Sequence, residues 1–335
     1  MKSILKGITL LAISALFLTS CESKKNKSET TSTEENKVAI NTSFPQLNAD
    51  SAFRFTKAQL DFGPRVPGTV AHEKCANYLE KTMRKYAPSV IVQNFEMKAW
   101  NDKMMKGKNI IASFNPESNN RIFLSAHWDS RFVADHDPNP VNHNKPIDGA
   151  NDEASGAGVL LEVARILKQQ NPAIGVDIIL FDLEDQGEPQ GTDAEGRDNW
   201  CLGSQFWAQN FHKSGYQAKY GILLDMVGAK NPYFTMEQTS MYYAPDIMKN
   251  VWDIAAKIGY ESYFSTQQTS GIIDDHLYIN QKSKIPTIDI IHWDATTESH
   301  FYPYWHTVED NLSKIDPKSL EIVGKTLLTV VYNEK

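Results

Sequence analysis

Cysteine is scarce in this chain, basic residues are outnumbered, and no apolar run is long enough to cross a bilayer. Three cysteines in 335 residues are too few for the disulfide framework of a small secreted scaffold. With Cys21 set aside, Cys75 and Cys201 remain. They can form one bridge in an oxidising compartment, or stay free, Cys75 lying on the apolar face of a helix with Tyr78, Leu79 and Met83. Lys and Arg number 34 against 41 Asp and Glu, a net charge of −7. Without a basic block, that balance argues against nucleic acid as a partner. The N-terminal apolar run, residues 8–18, falls short of the roughly 20 residues that a spanning helix needs. Internal repeats, long linkers and a second shift in composition are also missing, which points to one domain.

What is present at the N-terminus is the pattern of an export signal. Lys2 and Lys6 precede the apolar run, which ends in Leu18-Thr19-Ser20-Cys21. The cysteine after Leu-Thr-Ser resembles the lipobox of bacterial lipoproteins. The expectation is a signal peptide over 1–20 and a lipidated Cys21 that begins a tether over 21–41, rich in Ser, Thr, Lys, Asn and Glu. Loss of Lys2 and Lys6 takes the net charge from −7 to −9. The folded domain is expected over 42–335, about 290 residues and enough for a substantial core. These features place it in the bacterial cell envelope, periplasmic, touching the membrane through its lipid anchor only.

Past that point, short apolar runs alternate with helical spacing. Residues 109–114, 121–126, 176–181, 220–224 and 285–291 are Ile-, Leu- and Val-rich, as strands buried on both faces are, and 90–97 alternates as a half-buried strand does. Helical spacing covers 72–86, 154–169, 204–212, 245–258 and 317–332. The class is α/β, a central, mixed but mostly parallel twisted sheet flanked by helices.

The acids and histidines sit at one end of these strands. His127 and Asp129 follow one strand, Glu184 and Asp185 another, Asp225 a third, and His306 lies beyond a fourth; Asp152 opens the helix 154–169. Ligands of open α/β sheets bind outside the carboxyl ends of strands. Taken singly, Asp152 could cap its helix, His127 could be a hydrogen-bonded core histidine, and Glu184-Asp185 a solvated turn. Together, several carboxylates converging on one edge would repel each other without a cation. Histidine and carboxylate ligands without cysteine suit a catalytic Zn²⁺ with an open position, although Mn²⁺ and Co²⁺ take the same atoms. The acidic stretch 182–200, with Glu188, Asp193, Glu195 and Asp198, has no EF-hand spacing and reads as a solvated loop near the site.

His127-Trp128-Asp129, Gly149-Ala150-Asn151-Asp152, Glu184-Asp185, Leu224-Asp225-Met226 and Trp305-His306-Thr307 resemble, in this order, the metal motifs of the zinc aminopeptidase-like exopeptidases. Phe62-Gly63-Pro64-Arg65, Ser130-Arg131 with Asp135-His136-Asp137-Pro138, Asn199-Trp200-Cys201-Leu202-Gly203-Ser204 and Asp274-Asp275-His276 narrow the resemblance to bacterial glutaminyl-peptide cyclotransferases. It covers residues 55–334. The resemblance implies one zinc per chain on Asp152, Asp185 and His306, with Glu184 as proton shuttle and Asp225 and Asp274 as supporting acids. It puts Trp305, Trp200 and His276 on the substrate side. His127 and Asp225 fill the positions of a second metal in two-metal aminopeptidases. Asp185 departs from the glutamate usual in aminopeptidases and animal cyclotransferases. The implied reaction converts the N-terminal glutamine of peptides and proteins to pyroglutamate with release of ammonia, by a monomer. A zinc aminopeptidase and a non-catalytic peptide-binding ectodomain are the alternatives.

Overall fold

A parallel strand covered by helices on both faces reads as a nearly continuous apolar run, and the stretches near 121, 176, 221 and 287 are largely of that kind. They form β3 (Arg121–His127), β4 (Gly175–Phe181), β5 (Gly221–Asp225) and β8 (Thr287–Ile291), every residue of which is buried. The computed structural model describes residues 40–192 and 198–335. The signal peptide, Cys21 and most of the tether therefore lie outside the described residues, as do Asp193 and Glu195. Ile40–Lys335 packs as one compact unit, and among the described residues no helix is long and apolar enough to cross a membrane.

The main sheet adds β1 (Ser89–Lys98) and β2 (Met104–Phe114) in the order β1-β2-β4-β3-β5-β8. β4, β3, β5 and β8 are parallel, whereas β1 and β2 are antiparallel additions at one edge. The mixed, mostly parallel sheet is thus as the alternating pattern predicts. The register pairs His127 with Phe181 and Asp225 with Ile291, so the carboxyl ends of these strands finish close together.

Helix α3 (Ala154–Gln169) lies against this sheet and is apolar nearly all round. Val159, Leu160, Leu161 and Val163 are fully buried, each contributing about 1.5–3 kcal/mol of transfer free energy. Gly156 permits the close approach: a Cβ there would stand 2.7 Å from the Leu224 carbonyl oxygen and 2.9 Å from the Ala126 Cβ. The N-terminus of α3 is thereby pressed onto the ends of β3 and β5. α2 (Val70–Tyr86), α6 (Pro245–Lys257) and α8 (Pro317–Asn333) match the helical spacing within a few residues, and α4 (Leu202–Gln209) stops three residues before the periodicity does.

Five elements lack a sequence counterpart: α1 (Ala49–Leu60), β6 (Phe234–Glu237), α5 (Gln238–Tyr243), β7 (Phe264–Thr269) and α7 (Asp275–Ser283). β6 and β7 form a separate parallel pair. β7, Phe-Ser-Thr-Gln-Gln-Thr, is half exposed and mostly polar, and so carries no apolar run to read. α1 is started by Asn48, whose side chain accepts the Ser51 N–H at 2.8 Å. Cys75 and Cys201 are both buried and free, which settles the choice left by spacing against a bridge.

Candidate metal centre

Three strands and the loop beyond β8 deliver ligand-type side chains to one edge, and the backbone turns sharply to do so. His127 ends β3, Asp225 ends β5, and Glu184-Asp185 follow β4. Leu183, Met226 and His306 all have positive φ, at 59°, 47° and 54°. Left-handed backbone is costly for such residues and clusters where surrounding structure fixes a functional turn.

Two ligand groups result, sharing Asp152. His306 Nε2 lies 2.9 Å from Asp185 Oδ1 and 3.7 Å from Asp152 Oδ2. His127 Nε2 lies 3.4 Å from Asp152 Oδ1 and 3.4 Å from Asp225 Oδ1. Nitrogen and oxygen ligands about 2.0–2.1 Å from a tetrahedral zinc stand about 3.3 Å apart. Both groups therefore match that cage, and the first is the set Asp152, Asp185, His306. Asp152 Oδ2 and Asp185 Oδ2 are buried without any hydrogen-bond partner, which a cation would supply.

The electrostatics agree. Burial pushes Glu184 well above the usual carboxylate range; His127 opposes this, and Asp185, Asp274 and Asp275 add to it. Asp225 is likewise pushed well above by burial, with His127 opposing and Asp152 and Asp274 adding. Asp185 is the exception: burial works against ionisation, but His306 and Arg131 hold it down at about 2. Many buried carboxyls for two histidines leave an excess of negative charge that a divalent cation relieves.

Around the ligands runs a supporting shell. Asp310 accepts the Asn151 N–H at 2.9 Å and the Asp152 N–H at 3.0 Å, fixing the turn that carries the shared ligand. Buried Arg65 grips the same turn, donating to the Gly149 carbonyl at 2.9 Å and to that of Asp148. Asp129 accepts the N–H groups of Glu184 and Asp185 at 3.0 and 3.3 Å and the Gln186 amide at 2.9 Å. Behind His306, Asp135 Oδ1 stands 3.5 Å from Nδ1 and is itself held by Arg131, through Nε–Oδ1 at 3.0 Å and Nη2–Oδ2 at 2.6 Å. Such outer partners orient a ligand and tune its basicity.

Over the ligands opens a cavity of about 210 Å³. Its floor carries Asp152, Glu184, Asp185, Asp225 and Asp274. Its apolar walls include Trp200, Trp305, Phe301, Ile272 and Ile273. The Trp305 ring stacks on His306 at 3.8 Å, and Trp200 lies parallel to the same imidazole at 6.1 Å. Trp305 and Trp200, which the sequence reading puts on the substrate side, line the cavity over the ligands.

His276 does not. It is fully buried and outside the cavity lining, its Nε2 3.2 Å from Glu237 Oε1 and its Nδ1 3.9 Å from Asp289 Oδ2. Its helix α7 holds the ring against Glu237 and Asp289, so the structure does not bring His276 to the cavity as the sequence reading expects. Asp152 does not cap α3 either; Glu153 occupies the cap, without a side-chain capping bond. Within the acidic stretch, Asp182 is buried and pairs with His72 at 2.9 Å.

Sequence reasoning assigned no role to Asp310, Asp135 or Asp289, nor to the contact between Cys201 Sγ and Glu184 Oε1 at 3.0 Å. Asp289 left a signal, an acid inside the apolar run Ile288-Asp289-Ile290. Asp310 left none, being 158 residues from the backbone that it holds.

A mixed, mostly parallel sheet that gathers histidine and carboxylate ligands at the carboxyl ends of its strands, under an aromatic-walled cavity, defines a metal-dependent exopeptidase-like enzyme. The family model described as Peptidase family M28 matches residues 109–331, and the chain belongs to that family. Among solved structures, it is similar to a Bacteroides thetaiotaomicron glutaminyl cyclase bound to N-acetylhistamine, at 49% identity and a TM-score of 0.85, over 87% of this chain and 100% of that one. A Zn-dependent exopeptidase from Parabacteroides distasonis is 46% identical with a TM-score of 0.85, over 87% and 99% of the two chains. The glutaminyl-peptide cyclotransferase of Drosophila melanogaster is 28% identical over 282 residues, 76% of this chain and 72% of its own.

Proposed function

We propose that this protein is a glutaminyl-peptide cyclotransferase, converting the N-terminal glutamine of peptides to pyroglutamate with release of ammonia. The observation that carries the reading is the similarity to the Bacteroides thetaiotaomicron glutaminyl cyclase across that protein's whole length.

Asp152, Asp185 and His306 would hold one zinc per chain, which supplies a Lewis acid toward the side-chain amide of the substrate. The glutamine carries its own nucleophile: the α-amine forms the new C–N bond to the amide carbon, and the amide C–N bond breaks to free ammonia. Tethering of nucleophile and electrophile in one residue removes most of the entropic cost of that attack. Glu184, on the cavity floor, takes the proton from the amine and passes it to the departing nitrogen, a task for a carboxyl whose proton affinity burial raises. Asp225 and Asp274 line the same cavity and would hold the developing charge through shared hydrogen bonds. Trp305 and Trp200 wall the cavity against water, which the reaction does not consume.

A second reading, a two-metal aminopeptidase, is favoured by one observation. His127, Asp152 and Asp225 form a cage as regular as the first, with Asp152 between the two. Incubating the soluble domain with a Gln-initiated dipeptide separates the readings. The cyclotransferase gives chelator-sensitive ammonia and a peptide lighter by the mass of ammonia; free glutamine would make it an aminopeptidase. Bound zinc with neither product would leave the binding ectodomain.

The exported, lipid-anchored periplasmic location, with Cys21 acylated, belongs to the same proposal and is supported by the N-terminal pattern.

A further inference from the structure

We infer that Cys201 is a positioning residue for Glu184, its thiol holding the carboxylate of the base in place. The inference rests on the reading of Glu184 as proton carrier and extends it to a residue that the chemistry itself does not use.

Cys201 grips Glu184 at two points. Its backbone N–H donates to the Glu184 carbonyl at 2.8 Å, and its Sγ–H donates to Glu184 Oε1 at 3.0 Å. The next residue continues the clasp, Leu202 N–H donating to the Leu183 carbonyl at 2.9 Å. Both sides of the clasp are in left-handed backbone, Leu183 at φ 59° and Cys201 at φ 55°. A cysteine is an unusual occupant of that conformation, and here it points a fully buried thiol at the carboxylate.

The carboxylate has little else to hold it. Its Oε2 stands 3.8 Å from His127 Nδ1, beyond hydrogen-bond reach. Its acidic neighbours include Asp185 and Asp274, which repel it. Among the described residues, the thiol is the hydrogen-bond donor within reach of this carboxylate. Without it, like-charge repulsion is free to swing Glu184 out of line with a bound amine. A proton carrier must lie within about 2.6–3.2 Å of the proton that it takes. The loss then falls on turnover and spares binding, because the cavity walls are made by other residues.

The test compares Cys201→Ala, Cys201→Ser and Glu184→Gln in the zinc-loaded soluble domain, with steady-state kinetics on a Gln-initiated dipeptide. Cys201→Ala is expected to lower kcat about tenfold with KM and zinc content near those of the parent, and Cys201→Ser, which keeps a donor, to recover to within about threefold. In a Glu184→Gln background, Cys201→Ala should cost nothing more, since there is no carboxylate left to position. Should Cys201→Ala not fold, Cys201→Gly supplies the donor-free comparison, glycine accepting the left-handed backbone readily. A donor-free variant with parental kcat overturns the inference, as does an equal loss in the Glu184→Gln background, which would mean packing alone. Undiminished turnover of Glu184→Gln itself would overturn the underlying reading instead, and so separates the two failures.

Discussion

Asp310 accepts the backbone N–H of Asp152 at 3.0 Å, so one buried aspartate fixes the position of another. The arrangement is electrostatically expensive. Burial and the charge of Asp152 push Asp310 up to about 7, against the two backbone N–H groups that favour its ionised form. Asp152 in turn is raised by burial and by Asp185. An acid placed behind a ligand makes sense where a cation lies in front of it, because its charge strengthens the ligand's hold on the metal.

Replacing Asp310 by Asn should therefore weaken zinc binding while leaving the fold. The carboxylate that receives two neighbouring N–H groups would become an amide whose own N–H₂ faces one of them. Outer partners of this kind are worth about 10–100-fold in metal affinity. Competition against a zinc chelator gives the measurement, and unchanged affinity would show that Asp310 serves the turn alone.

Glu184→Gln and His306→Ala should divide the site by function. Glu184→Gln leaves Asp152, Asp185 and His306 in place, so metal analysis should find zinc retained while turnover falls by a factor of about 10²–10⁴. His306→Ala removes the only imidazole of its ligand group, and zinc should be lost on dialysis. Stoichiometric zinc in the dialysed variant would show the ligand set to be misassigned.

How much of this was legible in the sequence depends on where each residue sits. His127 and Asp225 are readable because each ends an apolar run, and Asp185 because it follows one closely, where a parallel strand must stop and a polar group must find a partner. The four parallel strands are readable for the same reason, being mostly apolar and buried throughout. Asp310 and Asp135 are not, because they act across the fold on groups that no local pattern connects to them. β6, β7 and α7 escaped because they are short or polar and lie beside the main sheet. His276 was misplaced because a motif gives order along the chain but no direction for a side chain.

Gly156 is a further point where packing overrides propensity. In an exposed helix, Gly→Ala gains about 1 kcal/mol. At Gly156 the new methyl carbon would meet the Leu224 carbonyl oxygen at 2.7 Å, and backbone cannot move aside as a side chain can. Overpacking of that kind costs about 1–3 kcal/mol, so Gly156→Ala should be net destabilising. A lower urea midpoint with an unchanged m-value is the expected result. Because α3 begins two residues after the zinc ligand Asp152, the same variant should also bind zinc less tightly. A stabilised variant would mean that α3 can lift off the sheet without loss.

Glu237 offers a pH test away from the metal ligands. Its carboxylate receives the N–H groups of Thr239, Ser240 and Ile272, the last at 3.2 Å, and lies 3.2 Å from His276 Nε2. It thus ties α5 and α7 to the loop that brings Ile272 and Ile273 to the cavity. Burial disfavours its charge, but the neighbouring His276 and Ser240 outweigh that and hold Glu237 down at about 2. A folded-state value below the unfolded one means stability that is fully present above about pH 4.5 and is lost as the pH falls toward 2. The difference in unfolding free energy between the parent and Glu237→Gln should be largest above about pH 4.5 and shrink steadily below it. Measuring the difference, and not the parent alone, cancels the many other carboxyls that titrate in the same range. A difference that stays constant from pH 7 to pH 3 would mean that Glu237 stabilises the loop by shape and hydrogen bonding, with no contribution from its charge.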